Sequence, residues 1–224
     1  MGKRRVTQLL AATLVAALVA VLSVLASGGA TGADAEHCAR LSTQSQARER
    51  MVTGQGRDVA VIGDSYSVGL GLRDPQRSWP SRLPGRVHVF GFSGSGFSAR
   101  ASACPGVAYS ARAPRALRLG ANVVVVEGGL NDHDQPAADV RAGFRALMRE
   151  LRGRTVLVVG PPPAPSRTAG AQRVDAILRD ESARAGVRYL SVIGDRFAYL
   201  GDGLHLTPAG HRAFGALVAR ALGR

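Results

Sequence analysis

The sequence contains little lysine and few aromatic residues. Lys3 is the only lysine in 224 residues, so the formal net charge of +13 comes almost entirely from arginine. Aromatic side chains make up 5% of the chain, and no aromatic-rich strip accompanies the arginines, which are spread along the sequence. Nucleic-acid binding is therefore a poor interpretation of the charge. A solvated basic surface is the simplest interpretation, and attraction to an acidic cell-envelope polymer or membrane surface is the alternative.

Cysteine is also scarce, because it occurs only as Cys38 and Cys104. An exported chain can join such a pair in a disulfide, but a sequence does not show whether two Cβ atoms meet. A Cys38–Cys104 disulfide and two free thiols are therefore both open. A cysteine nucleophile is disfavoured outside the cell.

Two enzyme motifs are absent or incomplete. No serine lies in a G-x-S-x-G pattern, which argues against the α/β-hydrolase superfamily. The stretch GSGFSA at 94–99 fits the G-x-G-x-x-A pattern of dinucleotide-binding loops. That pattern requires an acidic residue about 20 positions further on, and no Asp or Glu occurs between Gly94 and Val126. We therefore expect no dinucleotide cofactor.

The first 35 residues have the features of a secretory signal peptide. Basic residues at 3–5 precede an uncharged apolar stretch at 9–26, and small residues follow through Ala35. Cleavage after Ala26 or after Ala35 fits the small-residue rule, and an uncleaved membrane anchor is the alternative. We predict a secreted or cell-envelope-associated protein, with a polar lead-in arm or short helix at 36–57.

The remaining segment, 58–224, alternates between strand-like and helical patterns. Strand-like runs occupy 58–63, 86–91, 122–128, 155–160 and 187–192. Apolar residues at helical spacing lie between them, and the last helix is expected to begin at Pro208 after a Thr207 cap. This order predicts an α/β fold, a three-layer α/β/α domain with a mostly parallel five-stranded sheet.

In such a sheet the loops at the carboxyl ends of the strands carry the site. Four of these loops contain chemically useful residues, in the stretches 63–65, 91–96, 128–132 and 202–211. The first contains Ser65, which is either a helix N-cap or a nucleophile. The last contains Asp202 and His205, and a tight loop can place the Asp202 carboxylate on one ring nitrogen of His205. An Asx turn at Asp202 is the structural alternative, but the strand-end serine favours a nucleophile and its base.

Two clusters of aspartate and histidine raise the alternative of a metal site. One combines Asp202 and His205 with His211, and the other spans residues 132–134. His211 falls in the first turn of the last helix, where packing or capping explains it. Solvation of a loop explains the residues at 132–134, so we expect neither a metal nor an organic cofactor.

In these four loops the sequence resembles the SGNH (GDSL-type) serine hydrolases, over most of residues 59–221. GDSYS matches the first family block with Ser65 as nucleophile, and GFSGSG matches the second with Gly94 at the oxyanion position. GLND matches the third with Asn131. DGLH matches the last with Asp202 and His205. The sequence departs from the family pattern at Tyr66 and Ser67 and at Phe90, so that Gly96 competes with Gly94 for the oxyanion role.

This resemblance implies a flavodoxin-like fold and an exported serine esterase. Ser65, His205 and Asp202 would form the triad, and Ser65, Gly94 and Asn131 the oxyanion hole. The substrate would be a small-molecule or envelope ester with a small or medium acyl group, as in lipid esters or O-acetylated carbohydrate. An acyltransferase with the same nucleophile and a non-catalytic envelope-binding protein are the alternatives, and we expect a monomer.

Three apolar residues adjoin the predicted catalytic blocks. Tyr66, Phe92 and Leu130 are candidates for contact with the acyl group of the substrate. Each of them is equally suited to the core. The sequence does not separate these two roles.

Overall fold

A computed structural model describes residues 34–223, so nearly all of the predicted signal peptide lies outside the described residues. The described residues divide after Arg40 into two units, and the sheet and the predicted site belong to the second, which begins at Leu41. Residues 34–49 are helical (α1), so the predicted lead-in arm contains a helix. In the described part of the chain, no helix is long and apolar enough to span a membrane.

The strands are β1 (Asp58–Gly63), β2 (Arg86–Gly91), β3 (Val123–Glu127), β4 (Thr155–Val159) and β5 (Arg188–Leu190). They form one sheet of five strands in the order β2-β1-β3-β4-β5, and every pairing is parallel. The predicted five-stranded α/β fold is thereby confirmed.

The helices after α1 are α2 (Ser65–Val68), α3 (Tyr109–Leu117), α4 (Ala137–Glu150), α5 (Thr168–Ala185) and α6 (Pro208–Leu222). Short 3₁₀ turns occur at Pro75–Arg77, Trp79–Arg82, Leu130–Asp132 and Pro165–Arg167. The α6 helix begins as expected, because the Thr207 side chain accepts a hydrogen bond from the backbone N–H of Gly210.

Successive residues of the strands face two separate apolar clusters. On one face Ala60 and Ile62 pack with residues of α3, α4 and α5, and on the other Val59 and Val61 pack with residues of α6. Burial on both faces explains why β1 is apolar from Val59 to Ile62. The domain therefore has the three layers that the sequence predicts.

The sheet order places a switch point at β1. The chain passes from β1 to β2 on one side, while β3 lies on the other side of β1. At the carboxyl ends, Gly63 is paired with Gly91, and Ile62 with Val126. A crevice outside such strand ends is the usual ligand site of an open α/β sheet. The loops that follow β1, β2 and β3 meet at this place.

Candidate active site

Ser65 begins the short helix α2 directly after β1. Asp64 is the N-cap, and its Oδ1 accepts a hydrogen bond of 2.9 Å from the backbone N–H of Tyr66. Gly63 has to lack a side chain, because a Cβ there would lie 2.1 Å from Ser67 Oγ. Gly69 ends the helix in the left-handed region at φ 86°, which favours glycine. This tight turn leaves Ser65 at the strand end, 7% exposed.

His205 connects Ser65 with Asp202. Its Nε2 lies 3.2 Å from Ser65 Oγ, and its Nδ1 lies 2.7 Å from Asp202 Oδ2. A carboxylate accepts the Nδ1 hydrogen, so the lone pair of Nε2 faces the serine hydroxyl. The structure thus brings together the three residues that the sequence predicts as a triad.

The loop at 202–205 holds Asp202 as an anion. Asp202 Oδ1 accepts hydrogen bonds of 2.9 Å from the backbone N–H groups of Leu204 and His205. The side-chain hydrogen bond with His205, aided by these two N–H groups, lowers the pKa of Asp202 to about 2. Asp202 is therefore ionised at neutral pH, although its side chain is 47% exposed.

Gly94 and Gly96 have different surroundings in the loop after β2. Gly94 has φ 82°, is partly exposed, and a Cβ there would approach no described atom closer than Ser102 Oγ at 3.9 Å. At Gly96 a Cβ would lie 2.5 Å from Asp132 Oδ2, so its glycine is explained by close packing. Among the described residues no acceptor binds the backbone N–H of Gly94 or of Ser65. These two free donors fit the oxyanion positions, and the competition between the glycines favours Gly94.

Asn131 lies in the 3₁₀ turn after β3 and joins the neighbouring loops. Its Nδ2 donates to the Ser95 carbonyl at 2.9 Å and, over a longer 3.3 Å, to Asp64 Oδ2. Its Oδ1 accepts a bond of 2.8 Å from Arg167 Nη1, which fixes the orientation of the amide. The amide hydrogen that faces Asp64 is held weakly. It is the donor that an oxyanion can recruit.

The family model described as the GDSL-like lipase/acylhydrolase family matches residues 61–213, which is more than half of the chain. The chain belongs to this family. It is a serine ester hydrolase, and the resemblance to the SGNH hydrolases is confirmed. The family therefore implies that the substrate is a small-molecule ester.

Solved structures with the same fold include proteins described as esterases. Est24, a carbohydrate acetylesterase from Sinorhizobium meliloti, is 20% identical with a TM-score of 0.62, and the match covers 75% of this chain and 99% of that one. An aryl esterase from M. smegmatis is 19% identical with the same TM-score of 0.62 and the same coverages, 75% and 99%. TesA is 23% identical with a TM-score of 0.60, covering 74% of this chain and 98% of its own. No curated protein matches the sequence.

Arg112 of α3 is a residue of the hydrolase site that the sequence did not reveal. Its Nη2 donates to the Gly63 carbonyl at 2.9 Å and to Ser95 Oγ at 2.7 Å, and its Nη1 donates to the Phe90 carbonyl. Burial lowers the pKa of Arg112 to about 10, so the side chain stays charged at neutral pH. The guanidinium thereby ties the end of β1 to the loop that carries Gly94.

Three buried carboxyl groups, those of Asp64, Glu127 and Asp132, accept hydrogen bonds from the loops that carry the site residues. Glu127 Oε2 accepts a bond of 2.7 Å from Ser67 Oγ, and burial together with the nearby Asp64 raises the pKa of Glu127 well above its usual range. Burial raises the pKa of Asp64 to about 6 and that of Asp132 to about 7. Asp132 accepts hydrogen bonds from the backbone N–H groups of Phe97 and Ser98 at 2.9 and 2.8 Å. These contacts explain Asp132 without a metal.

The candidates for substrate contact lie in or near the core. Tyr66 is 1% exposed, and its hydroxyl donates to the Leu204 carbonyl, so it connects α2 with the His205 loop. Leu130 is 2% exposed and belongs to the apolar cluster on the α6 face, and Phe92 is 5% exposed. The geometry therefore favours the core alternative for Tyr66 and Leu130. Contact of these three residues with an acyl group stays a prediction.

His211 and the two cysteines, the remaining residues considered in the sequence, have structural contacts. His211 is 1% exposed, and its Nδ1 accepts a hydrogen bond of 3.3 Å from the backbone N–H of Trp79, which agrees with a packing role. Cys38 and Cys104 are both disulfide-bonded, and the described residues contain no free cysteine. Within residues 34–223, no group of three or more His, Cys, Asp or Glu side chains is placed to hold a metal ion.

Proposed function

We propose that this hydrolase is an exported esterase that cleaves small or medium acyl esters through Ser65, His205 and Asp202. The observation that carries the proposal is the 3.2 Å contact between His205 Nε2 and Ser65 Oγ. This distance lies within the reach of a general base. The ionised Asp202 holds the opposite ring nitrogen, which leaves Nε2 free to accept a proton.

The proposed reaction begins with attack of Ser65 Oγ on the ester carbonyl carbon while His205 Nε2 takes the hydroxyl proton. The carbonyl oxygen becomes an oxyanion, which accepts hydrogen bonds from the N–H groups of Ser65 and Gly94 and from Asn131 Nδ2. His205 then gives its proton to the leaving alkoxide, and an acyl-Ser65 enzyme remains. Water, deprotonated by His205, attacks this acyl group, and His205 returns the proton to Ser65 Oγ as the acid leaves. Asp202 stabilises the imidazolium in both halves of the reaction.

The proposed substrate class is supported by the structures that share the fold. One of them is described as a carbohydrate acetylesterase and another as an aryl esterase. Both descriptions name an ester, and the first names a small acyl group. We therefore propose O-acetylated envelope carbohydrate or a lipid ester as the natural substrate.

The proposed location rests on the sequence. Basic residues at 3–5, the uncharged apolar stretch at 9–26 and the small residues that follow are typical of a secretory signal. Outside the cytoplasm the protein would be a monomer, and its excess of arginine over acidic residues would favour association with an acidic envelope surface.

Hydrolysis of p-nitrophenyl esters of increasing acyl length tests the proposal. We expect Ser65→Ala to lower kcat by about 10⁴-fold or more, since the nucleophile is lost. Ser42 gives the matched control, because its Oγ contacts Gln46 of the same helix α1, and Ser42→Ala should keep full activity. Undiminished hydrolysis by Ser65→Ala would contradict the assignment of the nucleophile.

Product analysis with added glycerol or a sugar separates the esterase from the acyltransferase alternative. The esterase releases free acid at a rate that the acceptor leaves nearly unchanged. Transfer of most acyl groups to the added alcohol would assign transfer instead. An intact protein without turnover on any ester would favour the envelope-binding alternative.

A further inference from the structure

A cavity of about 200 Å³ lies beside the C-terminal end of the nucleophile helix α2. Its walls come from the end of α1 and from the segment 68–75. Most of the lining is apolar, and the apolar side chains are Ala47, Met51, Val68, Leu70, Leu72 and Pro75. Neither Ser65 nor His205 lines this cavity.

The cavity also contains a buried cation, Arg48, which is 1% exposed. Its Nη1 donates to the Met51 carbonyl at 2.8 Å, and its Nη2 donates to Ser78 Oγ over a long 3.3 Å. Its Nε is buried and donates to no acceptor in the part of the chain that the structure describes. The guanidinium is therefore left with unused donors.

No carboxylate of residues 34–223 forms an ion pair with Arg48. Burial lowers the pKa of Arg48 to about 10 against the opposing effect of the Asp74 carboxylate, which forms no ion pair with it, so the side chain remains charged at neutral pH. A buried charge costs free energy unless an opposite charge and hydrogen bonds compensate it. An anion that enters the cavity would supply both.

We propose that this cavity binds a short-chain aliphatic carboxylate such as butyrate. The carboxylate accepts hydrogen bonds from Arg48 Nε and from one of its Nη groups, because a guanidinium presents parallel donors to two oxygens. The aliphatic chain lies against the apolar side chains of Met51 and Leu70. A bare inorganic anion would leave these walls without a partner.

The carboxylate site is connected to the nucleophile helix. Ser78 Oγ, which Arg48 contacts, donates a bond of 3.1 Å to the carbonyl of Ser67 in α2. Val68 and Gly69, which close the same helix, line the cavity. Occupation of the site would therefore stabilise the turn that begins with Ser65. The binding itself does not depend on the proposed esterase function.

Methionine-methyl NMR of the purified protein tests the proposal with butyrate as the probe. Met51 lines the carboxylate site, and Met148 lines a different groove, so the two methyl groups serve as reporter and internal reference. We expect a saturable shift of the Met51 signal with butyrate and an unchanged Met148 signal. Butyramide, which has the same shape without the charge, should shift Met51 only at concentrations about tenfold higher or more.

Variants locate the effect at the cavity. Arg48→Met should weaken butyrate binding about tenfold or more, and the exposed Arg50 provides the control Arg50→Met, which should bind as the parent does. If Arg48→Met does not fold, Leu70→Trp fills the cavity and should abolish the Met51 shift. A Met51 signal that ignores butyrate, that responds equally to butyramide, or that still responds in Leu70→Trp overturns the proposal. The first of these outcomes would mean that the cavity holds only water.

Discussion

At the scale of single residues, Asp202 determines which ring nitrogen of His205 carries the hydrogen, and so leaves Nε2 able to accept the Ser65 proton. Two backbone N–H groups and the imidazole bind its carboxylate and lower its pKa to about 2. The carboxylate therefore persists on the acid side until the pH approaches that value. Loss of activity between neutral pH and about pH 4 is therefore not caused by protonation of Asp202.

The pH dependence of kcat/KM tests this assignment. We expect activity to fall on the acid side, because a protonated His205 has no lone pair on Nε2 to accept the Ser65 proton. Asp202→Asn replaces an acceptor with a donor opposite Nδ1, and it should lower kcat by roughly 10²- to 10⁴-fold. A flat profile down to pH 4 would rule out the imidazole base, and full activity of Asp202→Asn would rule out Asp202 as the group that orients it.

Arg167 is a positioning residue for Asn131. Because its Nη1 binds Asn131 Oδ1 at 2.8 Å, the amide Nδ2 is turned toward Ser95 and Asp64. We expect Asn131→Ala to lower kcat by about 10²- to 10³-fold, as for other oxyanion donors, and Arg167→Met to lower it less. The loss should appear in kcat, with little change in KM.

A double-mutant cycle distinguishes positioning from a general structural effect. If Arg167 acts through Asn131, adding Arg167→Met to Asn131→Ala should lower kcat little further. The control is Arg173→Met, since within the described residues Arg173 donates hydrogen bonds only to the carbonyls of His133 and Gln135. Additive losses in the cycle would show that Arg167 acts by another route.

The sequence predicted the residues of the proposed triad and oxyanion hole because each lies in a short stretch with its own chemical pattern. It gave no sign of Arg112 or Arg167. Both belong to segments without a motif, and each reaches its partner across a long stretch of chain: Arg167 lies 36 residues from Asn131, and Arg112 lies 49 from Gly63. Because the chain contains many arginines, the sequence does not indicate which of them the fold places beside the site.

At the scale of elements, strands were easier to predict than helices. The β1, β3 and β4 strands each contain four consecutive apolar residues, since both faces of the sheet are covered. Helix α3 was not predicted, because its buried residues are only Tyr109, Ala113 and Ala116 and it contains Pro114. Small buried side chains leave no apolar stripe in the sequence.

The last helix α6 begins immediately after the His205 loop, so its cap stabilises both. Thr207 Oγ1 accepts from the Gly210 N–H at 3.1 Å and donates to the Ala198 carbonyl at 3.2 Å. We expect Thr207→Ala to lower the free energy of unfolding by about 1 kcal/mol, or roughly 2–4 °C in Tm. Thr207→Ser keeps the hydroxyl and should behave as the parent in thermal unfolding. Equal losses in both variants would show that the hydroxyl does not matter.

At the scale of the whole molecule, burial of His211 makes stability depend on pH. Burial, and to a lesser degree the nearby His205, lowers the pKa of His211 from 6.5 to about 4. Below pH 6.5 the unfolded chain therefore binds a proton that the folded chain excludes. This contribution is fully present above pH 6.5 and is lost as the pH falls toward 4, by up to about 3 kcal/mol.

Thermal unfolding of His211→Asn measures this effect. The variant should show a smaller fall of Tm between pH 7 and pH 4 than the parent, even if it is less stable at neutral pH. The exposed His37 provides the control, and His37→Asn should keep the slope of the parent. Parallel curves for parent and His211→Asn would contradict a buried neutral imidazole.

The sheet order explains why residues so distant in sequence form one site. Because β2 and β3 lie on opposite sides of β1, the loops that carry Ser65, Gly94 and Asn131 leave the sheet at adjacent strand ends. The alternation of strands and helices predicted this edge. It did not predict the buried hydrogen bonds that hold these loops together, such as those of Glu127 and Arg112.

The most direct test of the central claim is covalent labelling with a fluorophosphonate, followed by mapping of the modified residue by mass spectrometry. The account predicts one adduct, on Ser65, that forms much more slowly in His205→Ala and not at all in Ser65→Ala. Labelling of a different serine, or equally fast labelling of His205→Ala, would contradict activation of Ser65 by His205.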